Sequence, residues 1–159
     1  MADLADMLVD RLKQLRDECR ESAFKLEFTS QHLKEKFAEL SARLAQMTEQ
    51  RRQCEQQLDQ RIRSLGHDTA EGDSLMTSVS HSWDELRASI VPPKADHLLE
   101  SLIERETQAL ATYDDALQEV MDSTTLQMVL EHRAHIEMCL HELQYLKQDG
   151  GPAFTSMSL

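Results

Sequence analysis

Leu33 to Gly66, LKEKFAELSARLAQMTEQRRQCEQQLDQRIRSLG, is the stretch whose reading decides the fold. Its apolar residues stand at Leu33, Phe37, Leu40, Leu44, Met47, Cys54, Leu58, Ile62 and Leu65. They recur mostly at steps of three and four, the spacing of one face of an amphipathic α-helix. No glycine or proline breaks the helix until Gly66. A glycine just past the last apolar residue is the usual C-cap, because it adopts positive φ without a Cβ clash.

Upstream, the same spacing links Leu4, Leu8, Leu12, Leu15, Cys19 and Leu26. The pattern weakens over Phe28-Thr29-Ser30-Gln31-His32, where Thr29 or Ser30 can cap a new helix. Two helices, near 3–28 and 33–65, are therefore predicted. The alternative is one continuous helix of about sixty residues, which would bury its stripe only in a coiled coil.

Downstream, residues 67–77 are rich in Asp, Gly, Ser and Thr and read as a loop. Val79, Trp83, Leu86 and Ile90 return at helical spacing, with Ser82 and Glu85 placed for a capping box. A short crossing helix near 79–90 is expected to end before Pro92-Pro93 and to anchor Trp83 on the rest of the protein. A third long helix is predicted near 95–121, on Leu99, Leu102, Ile103, Ala109, Leu110, Tyr113, Leu117 and Val120. Asp122-Ser123 supplies a turn and a cap. A fourth helix follows near 124–148, on Leu126, Val129, Leu130, Ile136, Cys139, Leu140, Leu143 and Leu146. Gly150-Gly151-Pro152 ends it, and residues 150–159 read as a disordered tail. The expected fold is all-α: a ferritin-like four-helix bundle over residues 1–149, built of two helical hairpins. The long connector can travel the length of the bundle and set the second and third helices parallel.

Composition agrees. The 159 residues suit one domain, glycine (4) and proline (3) are scarce, and aromatic residues make up 4%. Abundant Leu, Ala, Glu, Gln, Arg and Lys favour helix. The net charge of -12 opposes binding to nucleic acid or to anionic lipid. Arg51, Arg52, Arg61 and Arg63 are interleaved with Glu49, Glu55 and Asp59 and read as a solvated face. Cys19, Cys54 and Cys139 are odd in number and widely spaced, which argues against a disulfide framework or a thiolate zinc site. They read as small buried side chains. No basic-then-apolar leader and no long apolar span are present, so a cytoplasmic location is expected.

From Leu33 onward the chain resembles a bacterial family of ferritin-like four-helix-bundle proteins, domain of unknown function 2383. The resemblance rests on Gln57-Leu58 with Ile62-Arg63-Ser64-Leu65-Gly66, then Glu71-Gly72-Asp73-Ser74-Leu75, then Trp83 with Leu86-Arg87-Ala88. Glu104-Arg105-Glu106, Ala109-Leu110, Tyr113 and Ala116-Leu117 complete it. It implies the bundle fold and no particular activity.

Ferritin-like metal sites take a carboxylate from each of two helices and Glu-x-x-His from each of the other two. That set is missing here, since no histidine of the fourth helix has a Glu three residues before it. A weaker site for one divalent metal ion would use Glu106, Glu131, His132 and His135; the same residues otherwise read as a polar helix face with partly exposed histidines. His67, His81 and His97 are expected at the surface. Arg51 and Glu106 stand where the stripes call for apolar residues, and a buried charge needs a partner. Their similar heights suggest an interior ion pair between the second and third helices, with His135 as a possible shared neighbour. No phosphate loop and no Ser-His-Asp set is found, so an enzyme is not expected. The leading expectation is a non-enzymatic module, stress-related or acting through a protein partner or self-association. The alternatives are a ferritin-like metal or redox protein and an elongated coiled-coil scaffold.

Overall fold

The computed structural model describes residues 3–67 and 94–148. They form four α-helices and no strand: α1 (Leu4–Leu33), α2 (Ala38–Ser64), α3 (Ala95–Ala116) and α4 (Ser123–Lys147). The expected crossing helix with Trp83, along with His81, Pro92-Pro93 and the tail at 150–159, lies outside the described residues.

The first break falls later than the sequence suggested. Thr29 and Ser30 do not cap a second helix; they are buried inside α1. The Thr29 hydroxyl donates to the Lys25 carbonyl at 2.8 Å, and the Ser30 hydroxyl donates to the Ser41 carbonyl of α2 at 2.7 Å. Both side chains are satisfied without ending the helix, which continues until Leu33 has entered the core. Residues 34–37 turn the chain back, so Leu4–Leu33 and Ala38–Ser64 are a hairpin and not the single helix of an elongated scaffold. Gly66 ends α2 at φ +85°, the conformation expected of its C-cap role. Asp122 caps α4 by accepting the Thr125 backbone N–H.

Around the bundle α1 touches α2 and α3, and α4 touches α2 and α3. The diagonal corners are therefore α1 with α4 and α2 with α3. One apolar cluster joins Leu26 and Leu33 to Leu40, Leu44, Leu98, Leu99, Leu143 and Leu146. The other joins Leu12 and Leu15 to Leu58, Ile62, Ala109, Tyr113, Val129 and Ile136. Every neighbouring pair is thus antiparallel, and α2 runs parallel to α3 across the diagonal. Ser64 and Ala95 consequently sit at opposite ends of the bundle.

Most of the expected stripes of α3 and α4 are buried, Val129, Ile136, Cys139, Leu140, Leu143 and Leu146 of α4 among them, but not every residue of them is. On α4 the buried positions include Thr125, Val129, His132, Ile136, Leu143 and Leu146. Leu126 and Leu130 are exposed, as are Met138 and Tyr145. On α3 the helix ends at Ala116, and Val120 lies beyond it, 81% exposed. Residue type alone marks Leu126 and Leu130 as core; the rotation of α4 is set by what the other three helices present to it.

Candidate functional site

Between the two apolar clusters lies a buried polar layer to which every helix contributes. Arg51 replaces an apolar residue between Met47 and Cys54 on the inward face of α2, and Glu106 does the same between Leu102 and Ala109 on α3. The guanidinium meets the carboxylate in a two-pronged contact, Nη1 to Oε1 at 3.1 Å and Nη2 to Oε2 at 2.7 Å. Arg51 is 2% exposed and Glu106 0%. The expected pair is formed, but between diagonal rather than neighbouring helices. It passes through the bundle interior, where only a long, forked side chain could span. Burial opposes the charge on Arg51, but the Glu106 carboxylate, together with Cys19 and Cys139, holds the guanidinium above its ordinary pKa.

A second chain of contacts runs beside this pair. The Cys19 Sγ of α1 lies 3.1 Å from the Tyr113 hydroxyl of α3, which lies 3.2 Å from Nδ1 of His132 on α4. Nε2 of His132 lies 2.6 Å from Oε1 of Gln57 on α2. A carboxamide oxygen only accepts, so Nε2 of His132 donates to Gln57. The Tyr113 hydroxyl is within reach of both His132 and the Cys19 sulfur and can donate to one of them at a time. The contacts link Cys19 through Tyr113 and His132 to Gln57 at the surface.

Cys54 of α2 is buried in the same cluster as Cys19 and Tyr113. Its thiol is lowered by the Cys19 hydrogen bond first; burial works against this, and His132 and His135 lower it further. Cys19 moves the other way, raised first by burial and then by its bond to Cys54. Cys139 of α4 lies against the Arg51–Glu106 pair and is raised by burial and by the Glu106 charge. Burial likewise raises the Tyr113 phenol. All three cysteines are free and buried.

The four residues expected around a metal ion are dispersed. The Glu106 carboxylate is engaged by Arg51, and both ring nitrogens of His132 are bonded. Glu131 and His135 are exposed. Among the described residues no three His, Cys, Asp or Glu side chains are grouped to hold an ion. His132, expected as part of a partly exposed face, is 1% exposed because Tyr113 and Gln57 satisfy its nitrogens. His135 lies on the wall of a groove between α2 and α4, lined also by Met47 and Gln50, and is not among the groups bonded to the Arg51–Glu106 pair. His97 is exposed, and His67 is half-buried, 3.6 Å from Asp6.

Sequence reasoning missed the thiol, phenol and imidazole contacts. It also missed two buried arginines outside the layer. Arg16 bonds Asp17 and Asp59, and Arg105 pairs with Glu18 and Glu21. The available signal was positional: Cys19, Tyr113 and Cys139 all sit on apolar stripes.

Fold and layer together place the chain among all-α four-helix-bundle proteins with a polar core layer. The family model described as Domain of unknown function (DUF2383) matches residues 7–119, and the chain belongs to that family. No curated protein and no solved structure matches it. No helix among the described residues is long and apolar enough to cross a membrane.

Proposed function

We propose that this chain is a non-enzymatic, stress-related bundle module whose working element is the thiol-bearing polar layer. The observation that carries the reading is the meeting of three buried thiols with an imidazole, a phenol and an ion pair, drawn from all four helices. Desolvation offsets the attraction within a buried ion pair, and apolar side chains of similar volume commonly fold as well or better. A layer of this composition is therefore poorly suited to stability alone. Redox state is the variable to which thiols respond, and their location makes any change in them a change in the core.

The test is thermal unfolding of the whole chain, reduced and after treatment with the thiol oxidant diamide. The midpoint is expected to shift by several degrees in the natural sequence. It is expected to stay put in a variant with Cys19, Cys54 and Cys139 all changed to Ala. Equal midpoints for the natural sequence in both states would overturn the reading.

A further inference from the structure

We infer that the outward face of α4 is the contact surface of a homodimer, in which α4 packs antiparallel against α4 of a second copy of this chain, with Ala134 at the crossing point. This face is turned away from the thiol layer, and the inference stands apart from the thiol reading.

α4 is apolar on two sides. Val129, Ile136 and Leu143 face the core. Leu126 and Leu130 are exposed, Met138 is 69% exposed and Tyr145 55%. At about 100° per residue these four fall, with the exposed Ala134, into one stripe about 120° wide, centred opposite the buried side. The stripe runs about 28 Å, most of the helix, at 1.5 Å per residue. None of its residues is charged. Among the described residues the other exposed large apolar side chains are Leu4 and Met7, in the first turn of α1, and Val120, beyond the end of α3. The outward faces of α2 and α3 carry none. A helix that is apolar all round is normally buried all round, and a continuous exposed apolar patch marks an interaction site.

The arrangement of the stripe selects a second copy as the occupant. A two-fold axis at Ala134 sets Leu130 of one copy opposite Met138 of the partner subunit, because each lies four residues from the axis. Leu126 then meets the partner helix between its sixth and seventh turns, in the interval from His141 to Tyr145. Ala134 meets itself at the crossing, where a methyl side chain lets the helix axes approach to about 8–10 Å.

The charges beside the stripe are self-complementary as well. Arg133 and Glu137 stand together at one edge, 2.8 Å apart and both partly exposed. Matching edges meet when two helices pack antiparallel. Arg133 therefore faces Glu137 of the partner subunit, and the reciprocal pair forms on the other side of the axis. The net charge of -12 on each copy opposes association elsewhere on the surface. Exposed pairs of this kind set register more than they add affinity. A contact made by one helix from each copy falls at the low end of specific interfaces, near about 1,200 Å² in total, so the dimer is reversible.

Sedimentation equilibrium of the full chain over a range of concentrations tests the inference. The natural sequence should pass from monomer to dimer and stop there, because a two-fold contact closes on itself. Met138→Glu and Leu130→Glu each put a charge into the stripe and should raise the dissociation constant by about tenfold or more. Their far-ultraviolet circular dichroism should match that of the natural chain, which separates dissociation from misfolding. The edge is tested by mixing. Arg133→Glu and Glu137→Arg should each weaken self-association, and an equal mixture of the two variants should associate about tenfold more tightly than either alone. Neither variant keeps the ion pair within its own chain, so tighter mixing reads pairing between copies. A natural chain that stays monomeric throughout overturns the inference. A dimer indifferent to Met138→Glu overturns it too, as does a mixture no tighter than its components. Association that appears only after removal of residues 150–159 assigns the stripe to the chain's own tail and overturns it likewise.

Discussion

α2 lies between two neighbours and meets them by opposite means. Against α1 it packs closely, through Ser41, and the Ser30–Ser41 exchange satisfies the buried hydroxyls. Against α4 it stands further off, with few close backbone approaches and a groove between. There it is joined by polar contacts spaced along the helix. Arg43 reaches Glu142 at 3.2 Å, Gln57 reaches His132, and Arg61 reaches Asp122 at 2.8 Å and Thr125 at 2.9 Å. Close packing excludes water and tolerates little change in volume. The polar seam leaves room beside the thiols. One helix can thus fasten the bundle on one side and keep its chemistry reachable on the other.

The largest effect should come from the ion pair that crosses between these two sides. Glu106→Ala leaves the Arg51 charge buried without its partner and should cost about 3–5 kcal/mol in urea unfolding. Arg51→Met with Glu106→Leu should recover most of that loss. Additive single-variant effects would mean that the two groups are energetically independent despite their contact.

The next test sets one substitution type against the two interfaces. Ser41→Leu forces volume into the close face and should destabilise by about 1–3 kcal/mol. Gln50→Leu, at the exposed wall of the groove, should stay within about 0.5 kcal/mol of the natural chain. Equal costs would erase the distinction between the two sides of α2. Tyr113→Phe tests the layer from α3. It removes a buried hydroxyl that serves both Cys19 and His132 and should cost about 1–3 kcal/mol.

The smallest effect concerns one end of the polar seam. Asp122 accepts from the Thr125 hydroxyl at 2.6 Å, from the Thr125 N–H at 3.1 Å and from Arg61. The Thr125 hydroxyl, aided by its N–H and by Arg61, brings the carboxyl down to about 2 from an ordinary 3.8. Asp122→Ala should cost about 1 kcal/mol at neutral pH, typical of a lost helix cap. A carboxyl depressed in the folded state contributes its stability above the ordinary value and loses it as pH falls through the folded one. The gap between natural and variant chains should therefore be full at pH 5 and close as pH falls towards 2 (acid unfolding curves of the two read it directly).

Several features were legible in the residues themselves. Four amphipathic periods call for four helices, and Gly66 and Asp122 bound two of them through local backbone chemistry. Arg51 and Glu106 declared themselves by interrupting apolar stripes. In each case the signal lies within one helix, where period and capping are set by residues a few positions apart. Thr29 and Ser30 show the limit of local reading: their hydroxyls can cap a helix or lie within one, and Ser41, eleven positions on, decides for Ser30.

Tertiary structure decided which helices became neighbours and how each was rotated. A periodic stripe says which side of a helix is apolar, but four stripes can be arranged around a bundle in more than one order. Placing α2 diagonal to α3 sent Arg51 through the interior, and the rotation of α4 buried His132 while leaving Leu126 and Leu130 exposed. Cys19, Cys54, Tyr113 and His132 lie far apart in the chain, and no spacing rule connects them. They meet because antiparallel packing brings the middles of the helices to one level, and contact distance there depends on all four at once.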